Sequence, residues 1–112
     1  MIKRVSLLVR KPELSRAEFA RHWREVHAPL ARRVPGLIRY TQNLVLEAGD
    51  RHPHLPATDT PVDGIAETYY ADRASMERAR DTPEAAAMLA DGATFIASVT
   101  TFLVEEDVIF SD

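Results

Sequence analysis

Two side chains that can handle protons lie close together in the sequence, His27 and Tyr40, at the ends of the stretch HAPLARRVPGLIRY. An imidazole titrates near neutral pH, so it can accept or donate a proton there. A phenol hydroxyl can donate a hydrogen bond to a carbonyl oxygen and stabilise an enolate. We therefore interpret His27 and Tyr40 as a candidate catalytic pair that transfers a proton next to a carbonyl group.

Each member of this pair also has a purely structural interpretation. His27 could be a core histidine that is hydrogen-bonded to a backbone carbonyl left free by Pro29, since proline has no N–H. Tyr40 could be an amphipathic aromatic residue that packs beneath a helix. Taken singly, each residue fits its structural interpretation better than a catalytic one, but the two residues together favour a shared cavity.

Six further residues are candidates for binding a substrate: Trp23, His52, His54, Glu67, Tyr69 and Phe95. The aromatic members would be either pocket walls or plain core. An inward-facing Glu67 would need a partner, because an unpaired buried carboxylate is costly. Arg39 on the neighbouring strand could supply one, and an ion pair is favoured over a catalytic role.

The two histidines of the proline-rich loop, His52 and His54, allow three interpretations. They could be solvated, one of them could cover the mouth of the pocket, or both could join His27 in a three-nitrogen metal site. We expect no metal, since loop histidines in solvent are the ordinary case.

The elements that would position these residues follow from the hydrophobic pattern. Strands are predicted at 2–10, 37–46, 63–71 and 97–110, helices from Ser15 to Pro35-Gly36 and from about 73 to 90, and a long loop at 47–62. The resulting order, β-α-β-β-α-β, is that of the ferredoxin-like α+β fold, a four-stranded antiparallel sheet with helices on one face.

Local signals support the helices. Ser15 with Glu18 fits a capping box, and Thr82 can cap a second segment after a break near the sequence DTPE. Pro29 should kink the first helix or make it restart. One apolar stripe is predicted along that helix, made of Phe19, Trp23, Val26 and Leu30.

Composition narrows the classes of protein. The 112 residues suit one domain, 1–112, and no apolar run approaches the roughly 20 residues that cross a membrane. Cysteine is absent, which excludes disulfides and thiol chemistry and fits a cytoplasmic location. Residues 1–52 hold 11 of the 14 Lys and Arg, but without a nucleic-acid motif we expect no nucleic-acid partner.

The strands are apolar on both sides, so the sheet face without helices should need a cover. An exposed apolar face of this kind usually binds a partner. We expect a homodimer in which two copies pack sheet against sheet about a two-fold axis.

The stretch KPELSRAEFARHWREVHAPLARRVPGLIRYTQN, followed by DGIAETYY and a late ADGATFI, resembles the EthD domain family from Leu8 to about Phe102. The resemblance implies a dimeric α+β barrel, the superfamily that also contains small polyketide cyclases, quinone-forming monooxygenases and muconolactone isomerases. A histidine and a tyrosine that line the pocket of a methylmuconolactone-isomerising relative match His27 and Tyr40. That relative also uses a cysteine, which this chain lacks.

Pairing and resemblance together predict a small enzyme of aromatic, lactone or polyketide-like metabolism that needs no cofactor. The expected reaction is an isomerisation, cyclisation or dehydration driven by proton transfer next to a carbonyl. Three alternatives stay open: a cofactor-free monooxygenase of a phenolic substrate, a non-catalytic protein that binds a small molecule, and, as the weakest of the three, a haem or metal protein.

Overall fold

The computed structural model describes residues 1–47 and 51–112, and four strands of this part form one antiparallel sheet in the order β2-β3-β1-β4. The strands are β1 (Ile2–Arg10), β2 (Arg39–Leu44), β3 (Gly64–Tyr70) and β4 (Ile96–Val104). The helices are α1 (Arg16–His22), α2 (Ala28–Arg32), α3 (Arg73–Arg80) and α4 (Pro83–Phe95). All four pack on one face of the sheet, which confirms the predicted ferredoxin-like α+β fold. None of them has the length and apolar character needed to cross a bilayer.

The predicted caps are confirmed. The Ser15 hydroxyl accepts a hydrogen bond from the N–H of Glu18, whose carboxylate accepts one from the N–H of Ser15. The side chain of Thr82 accepts from the N–H of Ala85 and so begins α4. Each interaction satisfies an N–H group at a helix end that has no partner within the helix.

A π-helical turn, Trp23–His27, separates α1 from α2 immediately before Pro29. The N–H of Ala28 donates to the carbonyl of Trp23, five residues back. Pro29 has no N–H with which to continue the α-helical pattern, and its ring needs space beside the carbonyl four residues earlier. The wider turn provides that space, so the predicted interruption at Pro29 is confirmed.

The π turn changes which side chains face the sheet. Val26, which the periodicity places in the apolar stripe, is 46% exposed, whereas His27 is 6% exposed. The predicted stripe is therefore wrong at Val26. A wider turn needs more residues to return to the same face, and the inward position after Trp23 passes to His27.

Several predicted boundaries also move. β4 ends at Val104 and not at 110, because its partner β1 is paired only as far as Lys3, opposite Val104. α4 continues to Phe95, five residues beyond the predicted end. β2 and β3 are each shorter than predicted. Of the predicted loop 47–62, residues 48–50 lie outside the described residues.

Gly64 begins β3 directly beneath the Trp23 ring. A Cβ atom at Gly64 would lie 2.6 Å from an atom of that ring, closer than real contacts allow. The interior of a protein is too closely packed to absorb this without a shift. The lack of a side chain at Gly64 therefore sets how closely the helix approaches the sheet.

We predict that Gly64→Ala lowers the free energy of unfolding by about 1–3 kcal/mol, the usual cost of overpacking a core. Gly92→Ala is the matched control, because its Cβ would make only ordinary contacts of 3.7 and 3.8 Å. Within α4 it should instead stabilise the protein by up to about 1 kcal/mol. Urea denaturation of both variants measures the difference, and equal stability of the two would contradict the contact with Trp23.

Candidate active site

A cavity of about 870 Å³ lies between the helices and the sheet. It separates two hydrophobic clusters. One is built on Phe19, Trp23 and Phe95, and the other on Tyr70 and Met76. The core of this small domain is thus divided around a space large enough for a ring-containing molecule.

His27 reaches the cavity from the π turn, and its other ring nitrogen contacts a carboxylate. Nδ1 of His27 lies 2.8 Å from Oδ2 of Asp91, while Nε2 of His22 lies 2.9 Å from Oδ1 of the same carboxylate. An ionised carboxylate only accepts hydrogen bonds, so Nδ1 of His27 carries the proton that it donates to Asp91. Nε2 of a neutral His27 is then unprotonated and can accept a proton.

Burial lowers the pKa of His27 below its ordinary value, and the hydrogen bond to Asp91 partly opposes that shift. Removal of the imidazole from water disfavours its charged form, while the neighbouring carboxylate favours it. A lowered pKa keeps His27 neutral at pH 7. This is the protonation state that a general base needs.

Phe95 packs against the rings of both His22 and His27. It is 1% exposed, and its ring centre lies 5.1 Å from that of His27 and 4.6 Å from that of His22. Phe95 was expected among the substrate-binding residues, but it does not line the cavity. It packs against the ring of the candidate base instead, and so restricts the orientation of that ring.

Tyr40 lines the same cavity from β2. The Gln42 side-chain amide donates a hydrogen bond of 3.0 Å to the Tyr40 hydroxyl and one of 2.8 Å to the Trp23 carbonyl. Because the hydroxyl oxygen accepts from Gln42, its own proton can be donated to a ligand. Burial raises the pKa of Tyr40, and Gln42 and Trp23 partly oppose this shift. Tyr40 is therefore a neutral phenol at pH 7.

Of the remaining predicted residues, Trp23 lines the cavity beside His27 and Tyr40. Its buried Nε1 atom forms no well-aligned hydrogen bond with any described residue, although the indole lies close enough to Tyr40 to oppose the rise in the pKa of that phenol. An indole N–H without a partner is costly inside a protein. It is therefore a donor that a ligand could satisfy.

Glu67 and Tyr69 lie on the opposite face of the sheet from the cavity. Glu67 forms an ion pair with Lys3 and accepts a hydrogen bond from Thr41, and Lys3 lowers the pKa of Glu67. The expected Arg39–Glu67 pair is wrong, because Arg39 stacks over the ring of Tyr69. Strand alternation puts every second residue of β3 on this outer face, away from His27.

His52 and His54 are exposed and do not line the cavity. A short bridge pairs His52 with Leu55. No group of three or more metal-binding side chains comes together in residues 1–47 and 51–112. The structure therefore does not bring the three histidines into the metal site that the sequence left open.

Asp91 is the residue that the sequence interpretation missed. It lies in the stretch ADGATFI, whose only informative feature in the sequence is its family resemblance. An acidic residue just beyond the predicted end of a helix has many ordinary roles, so its type says little about function. Only the packing of α4 against the π turn shows that it holds His27, 64 positions away in the chain.

Comparison with known proteins gives a family model and several solved structures. The model of the EthD domain matches residues 11–98. An EthD family protein from Bacillus halodurans is 28% identical, with a TM-score of 0.76 over 96% of this chain and 99% of that chain. No curated protein matches the sequence.

Two more distant structures share the fold. A dimeric ferredoxin-like protein of unknown function from Thermobifida fusca is 16% identical, with a TM-score of 0.68 over 92% of this chain and 88% of that one. A proposed antibiotic biosynthesis monooxygenase from Nitrosomonas europaea is 15% identical, with a TM-score of 0.61 over 95% and 98% of the two chains. Identities this low show a common fold and nothing finer.

We predict that Asp91→Asn lowers the pKa of His27 further, because the carboxylate that favours the imidazolium is lost while burial stays. NMR titration of the ring signals, assigned with a His27→Gln variant, measures the shift. The ring signals of His52, in the exposed loop, are the internal control and should be the same in Asp91→Asn as in the wild type. An unchanged or raised pKa of His27 in Asp91→Asn would contradict the assigned pairing.

Proposed function

The chain belongs to the EthD domain family, and from this membership and the shape of the cavity we propose that it is a small enzyme that transfers a proton next to a carbonyl group. The observation that carries the proposal is the His27–Asp91 pair, which leaves Nε2 of His27 free in the cavity that Tyr40 also lines. The proposed working unit is one domain spanning residues 1–112.

In the proposed reaction His27 is the general base. Nε2 takes a proton from the carbon next to the carbonyl, and the electron pair left on that carbon moves to the carbonyl oxygen. Asp91 supports this step by stabilising the imidazolium as it forms and by fixing the orientation of the ring. Return of the proton to a different atom completes an isomerisation. In a cyclisation the enolate carbon attacks a second carbonyl of the substrate, whose oxygen takes the proton from His27. In a dehydration the enolate expels a hydroxyl group from the neighbouring carbon, and that group takes the proton from His27 and leaves as water.

Tyr40 has the complementary role of stabilising the charge on the oxygen. Its O–H donates to the carbonyl oxygen, and the hydrogen bond strengthens as negative charge develops there. Gln42 helps by donating to the Tyr40 oxygen, which makes the phenol a better donor. Both roles belong to side chains of this chain, so we propose a reaction without a cofactor.

The cavity adds positioning and exclusion of water. Its walls are largely apolar side chains such as Leu8, Ala66 and Met88, which suits an aromatic, lactone or polyketide-like compound. In such surroundings the charge-assisted interactions of His27 and Tyr40 are stronger than in water.

The proposal predicts that the protein catalyses exchange of carbon-bound hydrogen for deuterium in D2O, next to the carbonyl of unsaturated γ-lactones or aryl methyl ketones, followed by NMR. His27→Gln should slow the exchange by roughly 10²–10⁴-fold, the usual contribution of a general base. Tyr40→Phe should slow it by about 10²–10³-fold, as expected for the loss of one oxyanion donor.

His54→Gln is the matched control for this experiment, because it removes an exposed imidazole that does not line the cavity. It should exchange hydrogen at the wild-type rate. Wild-type rates in folded His27→Gln and Tyr40→Phe would overturn the assigned roles. Tight binding without exchange would favour the non-catalytic binding protein.

A second candidate function uses the same residues. The Nitrosomonas europaea structure with the same fold is a proposed monooxygenase, and His27 could deprotonate a phenol as readily as a carbon acid. The resulting electron-rich anion could itself reduce oxygen. Oxygen consumption during turnover, measured with an electrode, separates this function from proton transfer alone.

We also propose that the protein is a homodimer formed through the outer face of the sheet. No helix in the described part of the chain covers that face, and it carries the apolar side chains of Val5, Leu7, Val9, Ile65 and Phe102. The Thermobifida fusca protein of the same fold is dimeric, which supports this arrangement. A cytoplasmic location stays a prediction.

The dimer proposal predicts that Phe102→Asp gives a folded monomer. Phe102 is 50% exposed in the single chain, so a charge there costs the monomer little but is unfavourable in an apolar interface. Val26→Asp is the control, since Val26 is 46% exposed on the helical side, and it should remain dimeric. Light scattering after gel filtration measures both masses, and a dimeric Phe102→Asp would contradict the interface.

A further inference from the structure

Arg4 lies in the floor of the cavity, on the central strand β1. Its side chain is half-buried, and among residues 1–47 and 51–112 no carboxylate lies within ion-pair distance of its guanidinium. Other basic residues of β1 differ in this respect. Lys3, on the outer face, pairs with Glu67 and Glu106, and Arg10 pairs with Asp63.

An unpaired guanidinium in this position is expensive. Arginine stays charged at every physiological pH, and moving a charge out of water without a partner costs free energy. The remaining charged groups that line the cavity from α3 and the following turn are Glu77, Arg80 and Asp81. All three are exposed, so water screens them, whereas Arg4 faces the interior of the cavity.

Strand register relates Arg4 to the candidate catalytic residues. Arg4 lies opposite Thr68, and Thr68 lies opposite Tyr40, so the three side chains form one row across β1, β3 and β2. Two strand spacings separate the α carbons of Tyr40 and Arg4, about 10 Å. This distance matches the length of a two-ring molecule that carries a substituent at one end.

The next row offers hydroxyl groups beside Arg4. Ser6 lies two residues further along β1 on the same face, and its Oγ is 2.9 Å from Oγ1 of Thr101. Both residues line the cavity. In this pair one hydroxyl donates its proton to the other, so one O–H is left to donate a hydrogen bond to an oxyanion bound at the guanidinium.

We propose that the ligand of this cavity is a carboxylate with an apolar ring body, and that Arg4 binds the carboxylate. The planar guanidinium can donate two parallel hydrogen bonds to such a group. The inference deepens the proposed function: with the carboxylate on Arg4, the carbonyl at the other end of the molecule lies near Tyr40 and His27. The substrate class narrows to carbonyl compounds that carry a distant carboxylate.

Binding of 2-naphthoate and of the neutral, nearly isosteric 2-naphthamide tests this proposal by isothermal titration calorimetry. The wild type should bind naphthoate at least about tenfold more tightly than the amide, since a charge-assisted pair replaces an unsatisfied guanidinium. Arg4→Gln should bring the ratio of the two affinities close to one, and Arg4→Lys should restore part of it.

Arg80→Gln is the matched control, an exposed arginine at the rim of the same cavity, and it should keep the wild-type preference. His27→Gln should also keep it, which separates carboxylate binding from proton transfer. A preference that survives in Arg4→Gln, equal affinities in the wild type, or no saturable binding of naphthoate at millimolar concentration would overturn the proposal. Arg4-dependent binding without any hydrogen exchange would overturn only the proposed function.

Discussion

The candidate site depends on the π turn at Trp23–His27, which exists because Pro29 cannot continue an α-helix. The turn brings His27 inward in place of Val26, and it leaves the Trp23 carbonyl facing β2, where Gln42 donates to it. The same Gln42 amide donates to the Tyr40 hydroxyl. One backbone irregularity therefore positions the imidazole and is connected through two hydrogen bonds to the phenol. π turns are uncommon and often occur at functional sites, and here the irregularity has a direct chemical consequence.

The hydrophobic core beside the π turn is not continuous. The cavity divides the core into two clusters, and Trp23 keeps a buried N–H without a partner in the described residues. A domain of this size has little stability to spare, so a space of this volume between its layers is costly unless a ligand fills it. The close contact between Gly64 and the Trp23 ring, by contrast, holds the helix firmly against the sheet at one end of the cavity. Tight packing beside an open space is the arrangement expected of a preformed binding site.

The two faces of the sheet carry different sets of side chains, because side chains alternate along each strand. The inner rows carry Arg4, Ser6 and Tyr40 towards the cavity, and the outer rows carry Val5, Leu7 and the Lys3–Glu67 pair. On the outer face Lys3 pairs with Glu67 and Arg39 stacks over the ring of Tyr69, whereas Arg4 on the inner face has no carboxylate partner among the described residues. This contrast underlies the two proposals, a second copy of the chain on the outer face and a small anionic molecule on the inner face.

The order of the elements, the caps at Ser15 and Thr82 and the break at Pro29 could be predicted from the sequence, because each rests on interactions within a few residues or on alternation along a strand. His27 and Tyr40 line one cavity, and their joint catalytic role stays a prediction. Alternation along β3 predicts that Glu67 and Tyr69 share one face of the sheet. Which of the two faces the helices cover depends on packing, and the structure places both residues on the face away from the pocket. The contact of Asp91 with the imidazole of His27, 64 positions away, and the packing of Phe95 against that ring are visible only in the folded chain. Contacts between residues so far apart in the chain depend on how helices lie on the sheet, and no local pattern encodes that geometry.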